Sequence, residues 1–343
     1  MTDPMFGEQL GRIGLGGAPL GNLFSEVSDE DAAGALDAAW EAGIRYFDTA
    51  PHYGLGLSER RLGAALRRRP RAEAWISTKV GRLLVADPAG AGGLDDEGFA
   101  VPATWRREWD FSAEGVRRSL ESSLERLGMD RVDVVYVHDP DTERHREQAA
   151  REAFPALAAL RDQGVVAAIG YGMNHSDALT WLVSETDPDV VLVAGRYSLL
   201  DQAALDDLLP ICVERGVAVV AAGVFNSGLL ATERPAAGAT FDYRPAERHL
   251  IERAGRIAEV CEAHGVSLPA AAIQFPLGHP AVVNVTLGAR SRAEVERNAR
   301  LAGMQLPAGL WEDLRAEGLI RADAPLPRPD APLPGRTETE TRR

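Results

Sequence analysis

Short runs of Val, Ile, Leu and Ala recur along the chain, separated by longer stretches in which apolar residues return every three or four positions. The runs begin near Ile13 (IGLGGA), Ile44 (IRYFDTA), Ala74 (AWISTK), Val132 (VDVVYVH), Val165 (VVAAIG), Val190 (VVLVAG), Val217 (VAVVAAG) and Val282 (VVNVTLG). Most are apolar at successive positions, as strands covered on both faces must be. The stretches between them (29–42, 58–68, 113–127, 149–162, 176–185, 202–215, 245–264 and 291–304) carry the helical period. Ser28 or Asp29, Ser58 and Ser112 stand at N-cap positions, and Gly43, Gly128, Gly164, Gly216 and Gly265 stand where helices stop. Eight units of strand then helix predict an α/β protein of the (β/α)₈ TIM-barrel class. A doubly wound open sheet is the alternative.

Two connections are too long for plain turns. Residues 81–110 follow the third strand and residues 223–244 the seventh, and both leave the strand ends where barrel active sites lie. The first holds Gly90, Gly92 and Gly93 beside Asp95, Asp96 and Glu97, then Trp105 and Trp109, the composition of a mobile lid with aromatic anchors. From Ala322 to Arg343 there are five prolines, many charges and almost no large apolar residues. Such a segment cannot repay the entropy of ordering, so the pattern divides the chain into a barrel over 1–321 and a flexible Pro-rich tail over 322–343.

The 343 residues leave one domain or two open by length, and the strand count decides for one. A net charge of −14, from 37 basic and 51 acidic side chains without a basic cluster, disfavours nucleic acid and anionic lipid as partners. No apolar run is long enough to span a membrane, and Met1 to Pro4 lack the features of a signal peptide, so a cytoplasmic protein is expected. Cys212 and Cys261 have no disulfide or zinc spacing and read as small apolar core residues. The histidines at 145, 175, 249, 264 and 279 show no paired ligand spacing, so no metal is expected. The remaining partner is a small molecule, and the oligomeric state is not written in the sequence.

Polar residues interrupt the apolar runs at their C-terminal ends. Asp48 ends the second, Lys79 the third and His138 the fourth, while Tyr53 lies five residues past Asp48 in DTAPHYG. A barrel gathers such strand ends around one mouth. An ordinary tyrosine ionises near pH ~10, and a nearby ammonium stabilises its phenolate, a part Lys79 can take with Asp48 orienting it. His138 can donate a hydrogen bond to a substrate oxygen. The group is an acid–base device suited to a carbonyl or a carbinol. A lysine at a barrel strand end also suits a Schiff-base aldolase, which is the rival chemistry.

These residues carry a resemblance. GIRYFDTAPHYGLGLSERRLG (43–63), STK (77–79), VH (137–138) and GARSRAEVERNA (288–299) resemble the aldo-keto reductase superfamily over about 11–304. GLGGAPLGNLF (14–24), KVGRLL (79–84) and FSAEGVRRSLESSLERLG (111–128) are similar to its aldose 1-dehydrogenase and pyridoxal 4-dehydrogenase branch. The resemblance implies a barrel that binds NAD or NADP, with a tetrad falling on Asp48, Tyr53, Lys79 and His138. It implies an NAD(P)-dependent oxidoreductase acting on the C1 carbinol or carbonyl of an aldose such as L-fucose. Pyridoxal oxidation, general aldehyde reduction and a non-catalytic NADP(H)-sensing subunit are the alternatives.

Cofactor contacts carry over one residue at a time. At the family's Ser-Asn pair stand Met173 and Asn174, at its Gln stands Ala194, and at its stacking Tyr stands Ala222 with Phe225 near. Only Asn174 keeps the pattern, and Arg196 or Tyr197 could rebuild the amide contacts. Phe225, Asn226, Ser227, Gly228 and Leu229 align with the pyrophosphate loop, whose amides and small hydroxyl suit phosphate. Gly288, Arg290, Ser291, Glu294 and Asn298 align with the adenosine clasp. Arg290 suits a 2′-phosphate and Glu294 suits free ribose hydroxyls, which slightly favours NAD. Phe24, His52, Trp105, Trp109 and Tyr171 are expected to border the mouth as a substrate wall for a sugar or an aldehyde.

Overall fold

In a computed structural model of the chain, residues 9–90, 92–236, 238–242 and 244–327 are described. Eight parallel strands close into a barrel: β1 (Ile13–Gly16), β2 (Tyr46–Asp48), β3 (Trp75–Val80), β4 (Val134–His138), β5 (Ala168–Met173), β6 (Val190–Ala194), β7 (Ala218–Ala222) and β8 (Val282–Gly288). Each pairs with the next, and β8 closes on β1 with Gly16 opposite Gly288. All eight expected runs form these strands, so the closed barrel replaces the open-sheet alternative.

The double-sided apolar character of the runs has a direct cause. Inward residues such as Tyr46, Val134, Tyr136, Val190, Leu192 and Val220 pack on one another inside the barrel. Their neighbours Phe47, Val135, Val137, Val191 and Val219 pack outward against the helices.

Around the sheet run α1 (Asp29–Glu41), α2 (Leu57–Leu66), α3 (Ala113–Leu127), α4 (Glu143–Gln148), α5 (Phe154–Asp162), α6 (Ser176–Glu185), α7 (Leu208–Arg215), α8 (Arg248–Ala263), α9 (Leu268–Gln274), α10 (Arg292–Ala302) and α11 (Ala308–Ala316). Ser28 and Ser112 cap as expected, accepting from the amides of Asp31 and Gly115 at 3.0 Å. Ser58 does not: α2 begins after Gly56 at φ +80°, and the buried Ser58 hydroxyl pairs with Thr49 Oγ1 at 2.9 Å. The five expected stop glycines all adopt positive φ.

Residues 322–327 of the segment expected as a tail pack on the barrel. Ala324 is buried with its carbonyl accepting from Arg315 at 2.6 Å, and Leu326 packs on the core beside Gly278. The remainder of that tail, 328–343, lies outside the described residues. The long connection after β3 is a hairpin, Arg82–Ala86 paired antiparallel with Trp105–Trp109. The one after β7 holds a two-residue ladder, Thr240–Phe241 with Arg244–Pro245. No described helix is long and apolar enough to cross a membrane.

Candidate active site

Asp48 and His138 end β2 and β4 and Lys79 is the next-to-last residue of β3, all on the inward face, two residues after Tyr46, Tyr136 and Ser77. The alternation that buries those three inside the barrel therefore delivers the acid, the base and the imidazole to its mouth. Lys79, only 1% exposed, donates to Asp48 Oδ1 at 2.8 Å, Asp48 Oδ2 at 2.7 Å and the Thr49 carbonyl at 3.0 Å. An ammonium has three donors, so all are spent. Ser77 donates to Asp48 at 2.7 Å, and its hydroxyl meets Tyr46, which in turn meets Tyr136 at 3.0 Å. Burial pulls the Lys79 ammonium below its ordinary value, while Asp48 pulls it the other way. A lysine clamped by three acceptors in this way is a fixed charge. It is a poor Schiff-base nucleophile, and the aldolase chemistry falls away.

The Tyr53 ring lies with its centroid 4.6 Å from Lys79 Nζ and 5.9 Å from the His138 ring, edge to face. Its position is set by a backbone contact: Gly21 packs so closely on the Tyr53–Gly54 peptide that a Cβ on Gly21 would come within 2.6 Å of it. Gly54 returns the contact at φ +62°, where a Cβ would meet the Gly21 carbonyl at 2.2 Å. His138 is buried, and its pKa lies well below the ordinary value, through burial first and then Arg82 and Lys79. The ring is neutral near pH 7, with one N–H and one lone pair. Nε2 lies 3.4 Å from Asp139 Oδ2, and among the described residues Nδ1 has no partner.

Two cavities meet here. The first, about 380 Å³, is lined by Asp48 and Tyr53, by Gly16, Gly17, Ala18, Gly195, Ala222, Gly223, Gly228 and Gly288, and by Asn174, Phe225, Asn226, Ser227, Arg290 and Glu294. The second, about 600 Å³, is lined by Lys79, His138, Phe24, His52, Arg82, Glu97, Phe99, Asp139, Asp141 and His175, among others. Tyr53 lines both, as do Phe24 and Asn174. A reacting group held at Tyr53 can therefore face one ligand in each cavity.

The first cavity suits a dinucleotide. Small residues leave room along its wall, and Arg290 and Glu294 sit together on it. Several expected contacts take other roles. Asn226 turns its amide inward, donating to the Gly195 carbonyl at 3.2 Å and accepting from Ser198 at 2.7 Å. Leu229 is buried and off the lining, and Asn298 is also off it. Arg196 does not face the space by Ala194: it grips the Asn174 carbonyl at 2.8 Å and pairs with Asp201 and Asp242. Tyr197 is buried against Phe275 and His279. Arg290 reaches the Leu23 carbonyl and Ser25, and its amide donates to Glu294 at 2.8 Å.

The expected substrate wall is corrected at three positions. Tyr171 is fully buried outside the barrel, stacked on Phe154, because it occupies the outward parity of β5 while Gly172 faces in beside Lys79. Trp105 and Trp109 are half exposed and off the lining of both cavities, whereas Arg107, between them on the same face of the hairpin strand, reaches in and donates to the His52 carbonyl at 2.9 Å. Trp109 instead lies under the Arg82 guanidinium, 4.3 Å from its ring centroid. Phe24 and His52 line the cavity as expected. The connection expected as a mobile lid is tied down: the Phe24 amide donates to Gly98 at 2.8 Å, and Asn22 and Ala100 exchange bonds at 3.1 and 2.9 Å. Arg82, Phe99, Asp139 and Asp141 escaped the sequence reading and Glu97 entered it only as part of the lid, although Asp139 follows His138 and so carried the same strand-end signal. Among the described residues no group of three or more His, Cys, Asp or Glu converges as a metal site.

The profile of the aldo/keto reductase family matches residues 12–317. The chain belongs to the aldo/keto reductase family. It is similar to D-threo-aldose 1-dehydrogenase of Pseudomonas sp, 51% identical over 311 residues, which cover 90% of this chain and 94% of that one. It is also similar to pyridoxal 4-dehydrogenase of Microbacterium luteolum, 41% identical over 323 residues, covering 90% and 94%. A glycerol dehydrogenase from Gluconobacter oxydans superposes with a TM-score of 0.71 at 24% identity, covering 90% and 92%. At that identity the likeness speaks to the fold. The protein is an oxidoreductase of aldo/keto reductase type, a family that uses nicotinamide dinucleotides.

Proposed function

We propose that the protein oxidises the C1 carbinol of a cyclic aldose to a lactone, with NAD as hydride acceptor and Tyr53 as the proton-transferring group. The observation that carries this reading is the place of Tyr53 at the junction of the two cavities, beside the Lys79 ammonium and across from His138. Asn174, Ser227, Gly228, Gly288, Arg290 and Glu294 would hold the nucleotide, which when bound supplies the acceptor for the hydride. Tyr53 takes the carbinol proton, and Lys79, held charged by Asp48, stabilises negative charge on the phenol oxygen. His138, neutral and buried, orients the same substrate oxygen through its N–H. In the reverse direction Tyr53 returns the proton to a carbonyl.

The named activity of the 51% identical relative supports an aldose as substrate, and so does the polar lining of the larger cavity. Glu294 on the smaller cavity supports NAD, because a carboxylate there repels a 2′-phosphate, while Arg290 is already engaged by Leu23, Ser25 and Glu294. The test is absorbance at 340 nm with NAD and NADP separately, against L-fucose, other aldoses, pyridoxal and simple aldehydes. NAD-linked turnover of aldoses is the expected result, and turnover of pyridoxal or simple aldehydes alone would overturn the substrate assignment.

A further inference from the structure

The larger cavity has a wall that the proton-transfer chemistry does not use. Arg82 begins the hairpin after β3 and is buried, with its guanidinium stacked on Trp109. It pairs with Asp139, lies 3.4 Å from Glu97 Oε2 and 3.4 Å from His52 Nδ1, and its buried Nε has no partner among the described residues. Asp139 is fixed just as firmly. It is a non-glycine residue at φ +45°, with its amide donating to Gly172 at 3.1 Å. Backbone held in that region is strained and persists where its surroundings over-determine it, often at ligand sites. A guanidinium and a carboxylate side by side offer a donor and an acceptor to one hydroxyl group.

The position of this pair decides which hydroxyl. Asp139 Oδ2 lies 3.4 Å from His138 Nε2, so the pair flanks the imidazole that orients the reacting oxygen in the proposed reaction. The next oxygen of an aldose sits one carbon away from that centre. Resting on the proposed reading, we infer that Arg82 and Asp139 form the specificity site for the hydroxyl on the carbon adjacent to the one oxidised, so that the enzyme selects 2-hydroxylated substrates. A site with buried polar groups built to meet a hydroxyl penalises a substrate lacking it, because those groups are left unpaired.

The experiment compares an aldose with its 2-deoxy analogue in the unmodified enzyme and in Arg82→Met. The readout is the ratio of kcat/KM for the two sugars, and comparing that ratio between enzymes cancels the intrinsic reactivity difference of the sugars. The ratio is expected to fall roughly ten- to hundredfold in the variant. Asp139→Asn, which keeps the shape and removes the charge, is expected to lower it in the same sense and carries the test should Arg82→Met fail to fold. Equal ratios in unmodified and variant enzymes, with aldose turnover intact, overturn the hydroxyl contact alone. Absence of turnover on both sugars in the unmodified enzyme overturns the aldose reading beneath it.

Discussion

On the β2 to β4 side of the mouth, side chains hold side chains: Asp48 grips Lys79 with both oxygens, Ser77 grips Asp48, and Tyr46 and Tyr136 close the chain of hydrogen bonds. On the β6 to β8 side the strand ends are small: Ala194, Gly195, Ala222, Gly223 and Gly288 leave a trough, and Ser227, Arg290 and Glu294 stand beyond the strands around it. The first side is a preorganised charge that needs no reorganisation when it acts. The second contributes room. One barrel thus separates the part that must be rigid and polar from the part that must be open, and the two sides should respond to substitution very differently.

The largest difference is expected at the clamp. Lys79→Met leaves Asp48 buried without its counter-charge, and breaking a buried pair in this way costs about 3–5 kcal/mol. Urea denaturation should show that loss together with a collapse of turnover, and a variant of unchanged stability would show that the clamp does not hold the mouth together. A smaller, pH-dependent effect is expected beside it. Burial pushes the Asp139 carboxyl up to about 6, although Arg82 pulls it down. Because the folded state holds that proton more tightly than the unfolded chain, the contribution of Asp139 to stability is present below pH ~4 and lost as pH rises to about 6, by up to about 3 kcal/mol. The difference in melting temperature between the unmodified protein and Asp139→Asn, followed from pH 4 to 7, measures it. A difference that does not change with pH would contradict the assignment.

On the open side, Glu294→Gln should raise the preference for NADP over NAD by roughly tenfold, the equivalent of about 1.4 kcal/mol. The ratio of kcat/KM for the two nucleotides reads it, and a shift toward NAD would reverse the place given to Glu294. The smallest effect belongs to neither side. Ser112→Ala removes the cap of α3 and should cost about 1 kcal/mol in chemical denaturation with kcat unchanged. A change in kcat there would show that the helix layer and the mouth are coupled.

The same contrast explains what could be read in advance. Asp48, Lys79 and His138 were legible because a polar residue ending an apolar strand is a visible exception, and strand ends of a barrel must converge. Tyr171 was misplaced because a run apolar on both faces does not say which residues point inward, and β5 turns Gly172 in and Tyr171 out. Trp105 and Trp109 were taken for cavity residues because an aromatic in a long connection does not say how far it stands from the mouth; in the hairpin they share a face with Arg107, and it is Arg107 that reaches the His52 carbonyl. The role of Asn226 was hidden for another reason. Its side chain serves Gly195 and Ser198, partners more than 25 residues away that nothing local announces.

The central claim is that Tyr53 transfers the proton at the junction of the two cavities. Tyr53→Phe keeps the ring and its packing and removes only the hydroxyl, so its turnover of an aldose, followed at 340 nm with saturating nucleotide, is the most direct measurement. Loss of kcat by about 10²–10⁴, with nucleotide affinity unchanged, is the predicted result. Full turnover by Tyr53→Phe would contradict the account.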